Sequence, residues 1–255
     1  MPTALITGAT SGIGAAFARA LAARGDDLVL VARDATRLAA TAAELTARHG
    51  VGVEVLPADL SVRADVLRVA ERVEDPSRPV EVLVNNAGFG LHTGLLDREV
   101  AEHENALDVM CLAVLILGGA AGRAMRSRGH GSIINVSSLA AWIAQGHYSA
   151  IKAWVKTYSE GLANELHGTG VTVTALCPGW VRTEFHERAG MRTSAIPDRV
   201  WVDADRCVRE ALADVARGRV ISVPTTRWKA ALLLSRLVPR AAVRRASRIL
   251  TRSRQ

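Results

Sequence analysis

The sequence has few cysteines and lacks the motifs of a metal site. Cys111, Cys177 and Cys207 are widely separated and form no CxxC pair, as expected of small buried apolar residues in a reducing compartment. The seven histidines are equally dispersed and include no HExxH motif, the zinc-binding pattern of a helix. We therefore expect neither disulfide bonds nor a bound metal ion.

Targeting and membrane-spanning patterns are also missing. The opening residues, Met-Pro-Thr-Ala-Leu-Ile-Thr, contain no charged segment with a following cleavage signal, so we expect a cytoplasmic protein. No apolar run approaches the roughly 20 residues that a spanning helix needs. A composition of 49% hydrophobic and 22% charged residues is typical of a soluble globular protein.

Acidic side chains are absent from residues 227–255, which carry nine lysines and arginines. The rest of the chain has 23 basic and 25 acidic side chains, so this tail alone gives the protein its net charge of +7. A basic segment with interspersed leucines can lie on an anionic membrane. The alternative, which we favour slightly, is a helix packed over a pocket mouth or against another subunit. We expect no nucleic-acid binding, because the tail has no zinc-finger or aromatic-platform pattern and the body is not basic.

Strand-like and helix-like segments alternate along the chain. Helical patterns lie near 12–24, 34–49, 61–74, 99–128, 148–167 and 203–217, between apolar runs near 3–7, 28–32, 53–57, 80–85, 131–136, 171–177 and 219–223. The run 28–32 is apolar throughout, as in a parallel strand covered on both faces. The pattern predicts an α/β fold: one Rossmann-type domain over residues 1–226, with a doubly wound parallel sheet of about seven strands and helices on both faces. The basic tail, 227–255, follows it.

Glycine and polar clusters follow the ends of the predicted strands, where such sheets bind ligands. Thr7–Gly14 has the spacing Gly-x3-Gly-x-Gly, which allows close backbone approach and offers a helix N-terminus to phosphate; a plain strand-to-helix turn is the alternative. Arg33 favours NADP(H) over NAD(H), because arginine there accommodates a 2′-phosphate. The competing Asp34 fits better as a helix N-cap. Asp59 can bond an adenine amino group or cap the helix that starts near Ser61, and the two are about equally supported.

Tyr148 and Lys152 lie four residues apart, on the same face of a predicted helix. A phenol has an unperturbed pKa of about 10 and keeps its proton at neutral pH. A neighbouring ammonium favours the phenolate, so the proton is easier to deliver to a substrate oxygen. The pair alone is weak evidence, because this spacing occurs by chance on many solvated helices.

The chain resembles the short-chain dehydrogenase/reductase family over residues 3 to about 223. The resemblance rests on the joint order and spacing of the glycine loop, Asp59, Asn85–Gly88, Ser138, Tyr148/Lys152 and Pro178–Thr183. The resemblance implies hydride transfer from C4 of the nicotinamide to a carbonyl carbon while Tyr148 protonates the oxygen. Ser138 would hydrogen-bond that oxygen, and Lys152 would bind the nicotinamide ribose and lower the pKa of Tyr148. A homodimer or homotetramer is also implied. The implied cofactor-binding residues are Gly8, Thr10, Ser11, Gly12, Ile13, Gly14, Arg33, Asp59, Leu60, Asn85, Ala87, Gly88, Tyr148, Lys152, Pro178, Gly179, Val181 and Thr183.

Two departures from the family pattern concern proton supply and pocket shape. Met110 stands where relatives usually carry an asparagine that anchors a relay water, and a thioether accepts hydrogen bonds only weakly. Ser138 and Tyr148 are ten residues apart, against about thirteen in many relatives, so the intervening loop is shorter. Met110 also supports the alternative of a catalytically impaired NADP(H)-binding scaffold or sensor. A hydrophobic carbonyl or alcohol would suit the predicted pocket, although the tryptophans can equally be structural; its candidate residues are Phe89, Leu91, Trp142, Ile143, Trp180 and the segment 184–200.

Overall fold

The fold is built on a parallel sheet of seven strands. A computed structural model describes residues 1–91, 93–185 and 197–237. The sheet strands are β1 Thr3–Thr7, β2 Asp27–Ala32, β3 Val53–Pro57, β4 Val82–Asn85, β5 Gly131–Val136, β6 Val171–Leu176 and β9 Ile221–Ser222. They lie in the order β3-β2-β1-β4-β5-β6-β9. The order turns back beside β1, so the predicted doubly wound sheet is confirmed. Two short parallel strands, β7 Val181–Arg182 and β8 Val202–Asp203, pair separately and were not predicted.

Helices fill the connections between the strands: α1 Gly12–Arg24, α2 Ala35–His49, α3 Arg63–Glu74, α4 Ala101–Leu107, α5 Ala113–Arg128, α6 Gly146–Glu165, α7 Ala204–Ala216 and α8 Thr226–Leu237. A π-helical turn, Asp108–Leu112, joins α4 to α5, where the sequence pattern predicts one continuous helix over 99–128. Such turns insert an extra residue and commonly lie at functional sites. Short 3₁₀ turns occupy Leu139–Trp142 and Asp198–Val200.

Apolar side chains of the central strands alternate between two cores, one on each face of the sheet. In β1, Ala4 and Ile6 pack with Phe17 of α1 on one face. Leu5, from the same strand, packs on the other face with Leu117 of α5. A strand buried on both faces is the arrangement expected of a parallel sheet. The two cores hold the carboxyl ends of the strands at one edge, and the site forms there.

The segment Ala101–Arg128 is long and apolar enough to cross a membrane by length and composition. In the structure, however, 56% of its most apolar window is buried inside the domain, and α5 packs against α3 and the sheet. Burial against the rest of the fold is the property of a core helix. We therefore assign α5 to the core of the domain.

All three cysteines are buried and free. Desolvation by burial raises the pKa of Cys111 to about 11 and those of Cys177 and Cys207 to about 12. Thiols with such high pKa values remain protonated at neutral pH and react poorly. The cysteines therefore serve as small apolar core residues, as the sequence indicates.

Candidate active site

A cleft of about 790 Å³ opens at the carboxyl ends of the strands. It brings together most of the residues that the sequence predicts for the site, from both halves of the sheet. Of the predicted residues, Gly14 and Asn85 do not line it. Those that do are Gly8, Thr10, Ser11, Gly12, Ile13, Arg33, Asp59, Leu60, Ala87, Gly88, Ser138, Tyr148, Lys152, Pro178, Gly179, Val181 and Thr183.

The glycine loop after β1 lies close against the loop after β4. Gly8 has φ +65°, and a Cβ atom there would lie 2.9 Å from Asn86 Nδ2 and 3.0 Å from Ala87 Cα. A methyl group at Gly14 would overlap the Gly8 carbonyl oxygen, so Gly14 permits α1 to pack against the loop. Helix α1 begins at Gly12, and the side chain of its N-cap residue, Ser11, does not cap the helix. Its first turn therefore offers backbone N–H groups at the cleft, the arrangement that binds phosphate.

Asn85 and its neighbour Asn86 have different roles. Asn85 is buried, and its Nδ2 donates to Asn135 Oδ1 at 2.9 Å. Asn135 Nδ2 in turn donates to Ser159 Oγ on α6 at 3.0 Å. The side chain that faces the glycine loop is that of Asn86, which donates to Thr7 O at 2.9 Å and lines the cleft. The sequence pattern predicts Asn85 as the cofactor-binding residue of this pair, but the side chain at the cleft is that of Asn86.

The surroundings of Arg33 suit an anionic group. Arg33 is exposed and lines the cleft, as does Arg37 one helical turn further on. Asp34 caps α2 by accepting from the Arg37 N–H at 3.0 Å, as the N-cap interpretation predicts. Arg37, which the sequence analysis did not select, also donates to Thr10 O at 3.2 Å. Two arginines thus flank the rim beside the glycine loop.

Asp59 lies in the turn before α3 and does not cap that helix, which begins at Arg63 after the N-cap residue Val62. Its Oδ1 accepts from the backbone N–H of Ser61 at 3.0 Å and from the Ser61 hydroxyl at 2.8 Å. The residue also lines the cleft, beside Leu60. Asp59 therefore shapes the turn before α3 and lies at the cleft wall.

Ser138, Tyr148 and Lys152 are positioned by β5 and by the first turns of α6. Ser138 starts the 3₁₀ turn, and its Oγ accepts from the Ala140 N–H at 3.1 Å. Helix α6 carries Tyr148 and Lys152 into the cleft, where Lys152 Nζ lies 5.6 Å from the centre of the Tyr148 ring. The Ser137 hydroxyl donates to the carbonyl oxygen of Lys152 at 2.7 Å, which ties α6 to the end of β5.

Lys152 is only 5% exposed. Its Nζ donates to the carbonyl oxygen of Val136 at 3.0 Å, so the charge is held at a defined place. Desolvation by burial lowers the pKa of Lys152 to about 8, and the electrostatic effects of Cys111 and Cys177 oppose this shift. At pH 7 the side chain is still mostly charged, and it loses its proton as the pH rises through about 8.

Met110 lies in the π-helical turn and is 1% exposed. It packs in an apolar cluster with Cys111 and Ile151, against which the Tyr148 ring also packs. A Cβ atom at Gly88 would lie 3.0 Å from Met110 Sδ, so the thioether is in close contact with the loop after β4. The position is therefore an apolar packing site behind the tyrosine.

The other end of the cleft is lined mainly by apolar side chains. Phe89, Trp142, Ile143 and Trp180 line it as predicted, whereas Leu91 packs with the Met110 cluster. Of the predicted segment 184–200, Phe185 lies 6.0 Å from Tyr148 between ring centres, and residues 186–196 lie outside the described part of the chain. The lining residues that the sequence did not predict include Asn105, Gln145, Trp228, Ala231 and Leu232.

The doubly wound sheet, the glycine loop and the Ser/Tyr/Lys set define a dinucleotide-dependent oxidoreductase domain. The family model described as short chain dehydrogenase matches residues 2–192, and the chain belongs to this family.

Individual relatives agree with this assignment. The short-chain reductase protein NovJ of Streptomyces niveus is 36% identical over 223 residues, which are 85% of this chain and 80% of that protein. A short-chain dehydrogenase from Sphingobium yanoikuyae, solved in complex with NADPH, is 37% identical with a TM-score of 0.84, covering 91% of this chain and 92% of that one. The bulky-bulky ketone specific alcohol dehydrogenase from Comamonas testosteroni is 31% identical with a TM-score of 0.79, covering 93% and 92%.

Proposed function

We propose that the protein is an NADP(H)-dependent carbonyl reductase or alcohol dehydrogenase that acts on hydrophobic substrates. The observation that carries the proposal is the shared cleft: Ser138, Tyr148 and Lys152 line it together with the glycine loop and a group of apolar side chains. An apolar pocket with a few convergent polar groups is typical of a site for an apolar small molecule. The bulky-ketone alcohol dehydrogenase with a similar fold supports the same substrate class.

The glycine loop and the N-terminus of α1 would hold the pyrophosphate of the cofactor, and Arg33 with Arg37 would hold its 2′-phosphate. When bound, NADP(H) supplies or accepts the hydride. The phenol of Tyr148 donates a proton to the substrate oxygen during reduction and accepts one during alcohol oxidation. Ser138 Oγ orients that oxygen. The Lys152 charge favours the phenolate form of Tyr148, and its Nζ would bind the nicotinamide ribose.

NADPH turnover on a panel of small, bulky and cyclic ketones tests the proposed activity. NADPH oxidation that depends on one or more ketones would support it. Tight NADPH binding without oxidation on a broad panel would instead support the alternative of a nucleotide-binding scaffold, which the apolar surroundings of Met110 would suit.

Replacing Arg33 with alanine should weaken NADPH binding by about tenfold, which corresponds to roughly 1.4 kcal/mol. The reason is that Arg33 lies exposed on the cleft rim, where a 2′-phosphate would be held. NADH lacks this phosphate, so its affinity should change little. Titration of both nucleotides by calorimetry measures the two effects. Arg48→Ala is the matched control, because Arg48 is exposed on α2 but does not line the cleft; a native preference for NADH would contradict the assignment.

We also propose a homodimer or homotetramer formed through the outer faces of α5 and α6. Leu115 on α5 and Trp154 on α6 are exposed large apolar side chains, and Trp154 stacks on Tyr158 at 5.0 Å between ring centres. Exposed apolar faces of this kind commonly mark protein interfaces. Light scattering of the eluted protein gives the mass, and a monomer at micromolar concentration would contradict the proposal.

The basic tail divides into two parts in this proposal. Its first part belongs to α8 and packs on the domain through Trp228 and Leu232, as the packing interpretation predicts. The remainder, 238–255, holds six arginines and no acidic residue, a charge pattern that can contact anionic lipid. The full chain should sediment with phosphatidylserine vesicles at low salt, and a chain ending at Leu237 should not. Equal sedimentation of the two chains would refute membrane contact through the tail.

A further inference from the structure

The residue that joins β9 to α8 has an unusual backbone conformation. Thr225 has φ +71° and is the one non-glycine residue with positive φ among those described. A β-branched residue is strongly disfavoured in this region. Thr225 is also 1% exposed, and its hydroxyl has no hydrogen-bond partner within the described structure. Backbone strain of this kind persists only where surrounding contacts impose it, and it is commonly found at functional sites.

A carboxylate on the neighbouring helix holds this bend in place. Glu210 of α7 accepts from the Thr225 N–H at 2.6 Å through one oxygen and from Arg206 Nε at 3.1 Å through the other. Desolvation opposes ionisation of Glu210, but the Thr225 N–H and the Arg206 and Lys229 charges outweigh it and lower its pKa. The first turn of α8 is also bonded to Thr225, since the Lys229 N–H donates to Thr225 O at 3.1 Å.

The direction of α8 after this bend determines what covers the apolar end of the cleft. Trp228, Ala231 and Leu232 line the cleft from α8. The Trp228 indole lies directly against the backbone of Gly179, where a methyl group would overlap it. On other faces of the helix, Leu233 and Leu234 are each 63% exposed. Helix α8 is therefore a wall of the cleft with one packed side.

We propose that Trp228 is a specificity-determining residue that limits the size of the substrate, and that Glu210 is a positioning residue that holds the wall through Thr225. The proposal rests on the proposed reductase function for its substrate but not for the placement of α8. Glu210 does not line the cleft. It therefore affects the substrate only by holding the backbone of Thr225, which sets the position of α8. The substrate class that the wall admits is a ketone whose apolar group is small enough to fit beside the indole.

Trp228→Ala tests the first part. The ratio of kcat/KM for a diaryl ketone to that for a small methyl ketone should rise by about tenfold or more, the scale on which a pocket discriminates by apolar size. Leu234→Ala, an exposed truncation on the same helix, should leave the ratio unchanged. An unchanged ratio in Trp228→Ala would overturn the role of the indole. A native protein that reduces neither ketone would instead count against the reductase function, and the placement of α8 would then be judged by the proteolysis below.

Glu210→Ala tests the second part with a readout that does not need turnover. Limited trypsin digestion of the full-length protein, followed by mass spectrometry, reports cleavage after Arg227 and Lys229 at the start of α8. The alanine variant should be cut there about tenfold faster, because opening of a segment controls its proteolysis. Glu210→Gln keeps an acceptor for the Thr225 N–H and should restore protection. Thr225→Gly should also remain protected, because glycine tolerates positive φ. Native cleavage rates in Glu210→Ala would overturn the positioning role.

Discussion

Replacing Tyr148 with phenylalanine should lower kcat/KM for ketone reduction by about 10²–10⁴-fold, the usual contribution of a positioned acid or base. The change removes the hydroxyl and keeps the ring, which packs against the Met110 cluster. The pocket should therefore remain intact. Steady-state kinetics measures the loss, and fluorescence titration of NADPH should give nearly the native affinity.

The matched control is Tyr158→Phe, since these are the two tyrosines of the chain. Tyr158 lies on the same helix, and its hydroxyl donates to Leu115 O at 3.3 Å, away from the cleft. Its variant should keep native turnover. Equal turnover of Tyr148→Phe and the native protein would contradict the assignment of Tyr148 as the acid.

The second large effect is the dependence of turnover on the charge of Lys152. Because burial lowers the pKa of Lys152 to about 8, the side chain is charged below this pH and neutral above it. We expect kcat/KM for reduction to fall as the pH rises through about 8, since the charge that favours the phenolate is lost. A profile of kcat/KM from pH 6 to 10 measures this limb, and a flat profile would contradict it.

Lys152→Met removes the charge at all pH values. Turnover at pH 7 should fall by at least about 10²-fold, the usual cost of removing one electrostatic group from a preorganised site. Lys156→Met is the control, because Lys156 lies one turn further along α6 and pairs with Glu160 at 2.6 Å. If both variants lost the same activity, helix charge in general, and not the position of Lys152, would account for the effect.

The sequence predicts the sheet and most of the cleft because both follow from local patterns. Parallel strands end at one edge, so residues that follow strand ends, such as Arg33, Gly88 and Ser138, must come close together. The cap formed by Asp34 is also local and was predictable. In each case the functional side chain lies within a few residues of a strand or helix end.

The features that the sequence did not predict depend on contacts between distant segments. Trp228 closes the cleft because it meets Gly179, about 50 positions earlier, and no local pattern reports that contact. The choice between Asn85 and Asn86 depends on the pleat of β4, which directs neighbouring side chains to opposite faces. The π-helical turn at Met110 adds a residue to an otherwise regular helix, and periodicity over 99–128 does not reveal it.

The buried bonds from Asn85 through Asn135 to Ser159 have a consequence for how the sequence can change. Each side chain satisfies the next, and Ser159 Oγ ends the chain by donating to Val155 O at 2.7 Å. Replacing Asn135 alone with leucine would leave Asn85 Nδ2 without its acceptor, at a cost of about 1–3 kcal/mol, and Ser159 Oγ would keep only its bond to Val155 O. Exchanging all three for apolar residues of matching shape would avoid that penalty. The three positions lie on β4, β5 and α6, and they must therefore be replaced together if any one of them is to change.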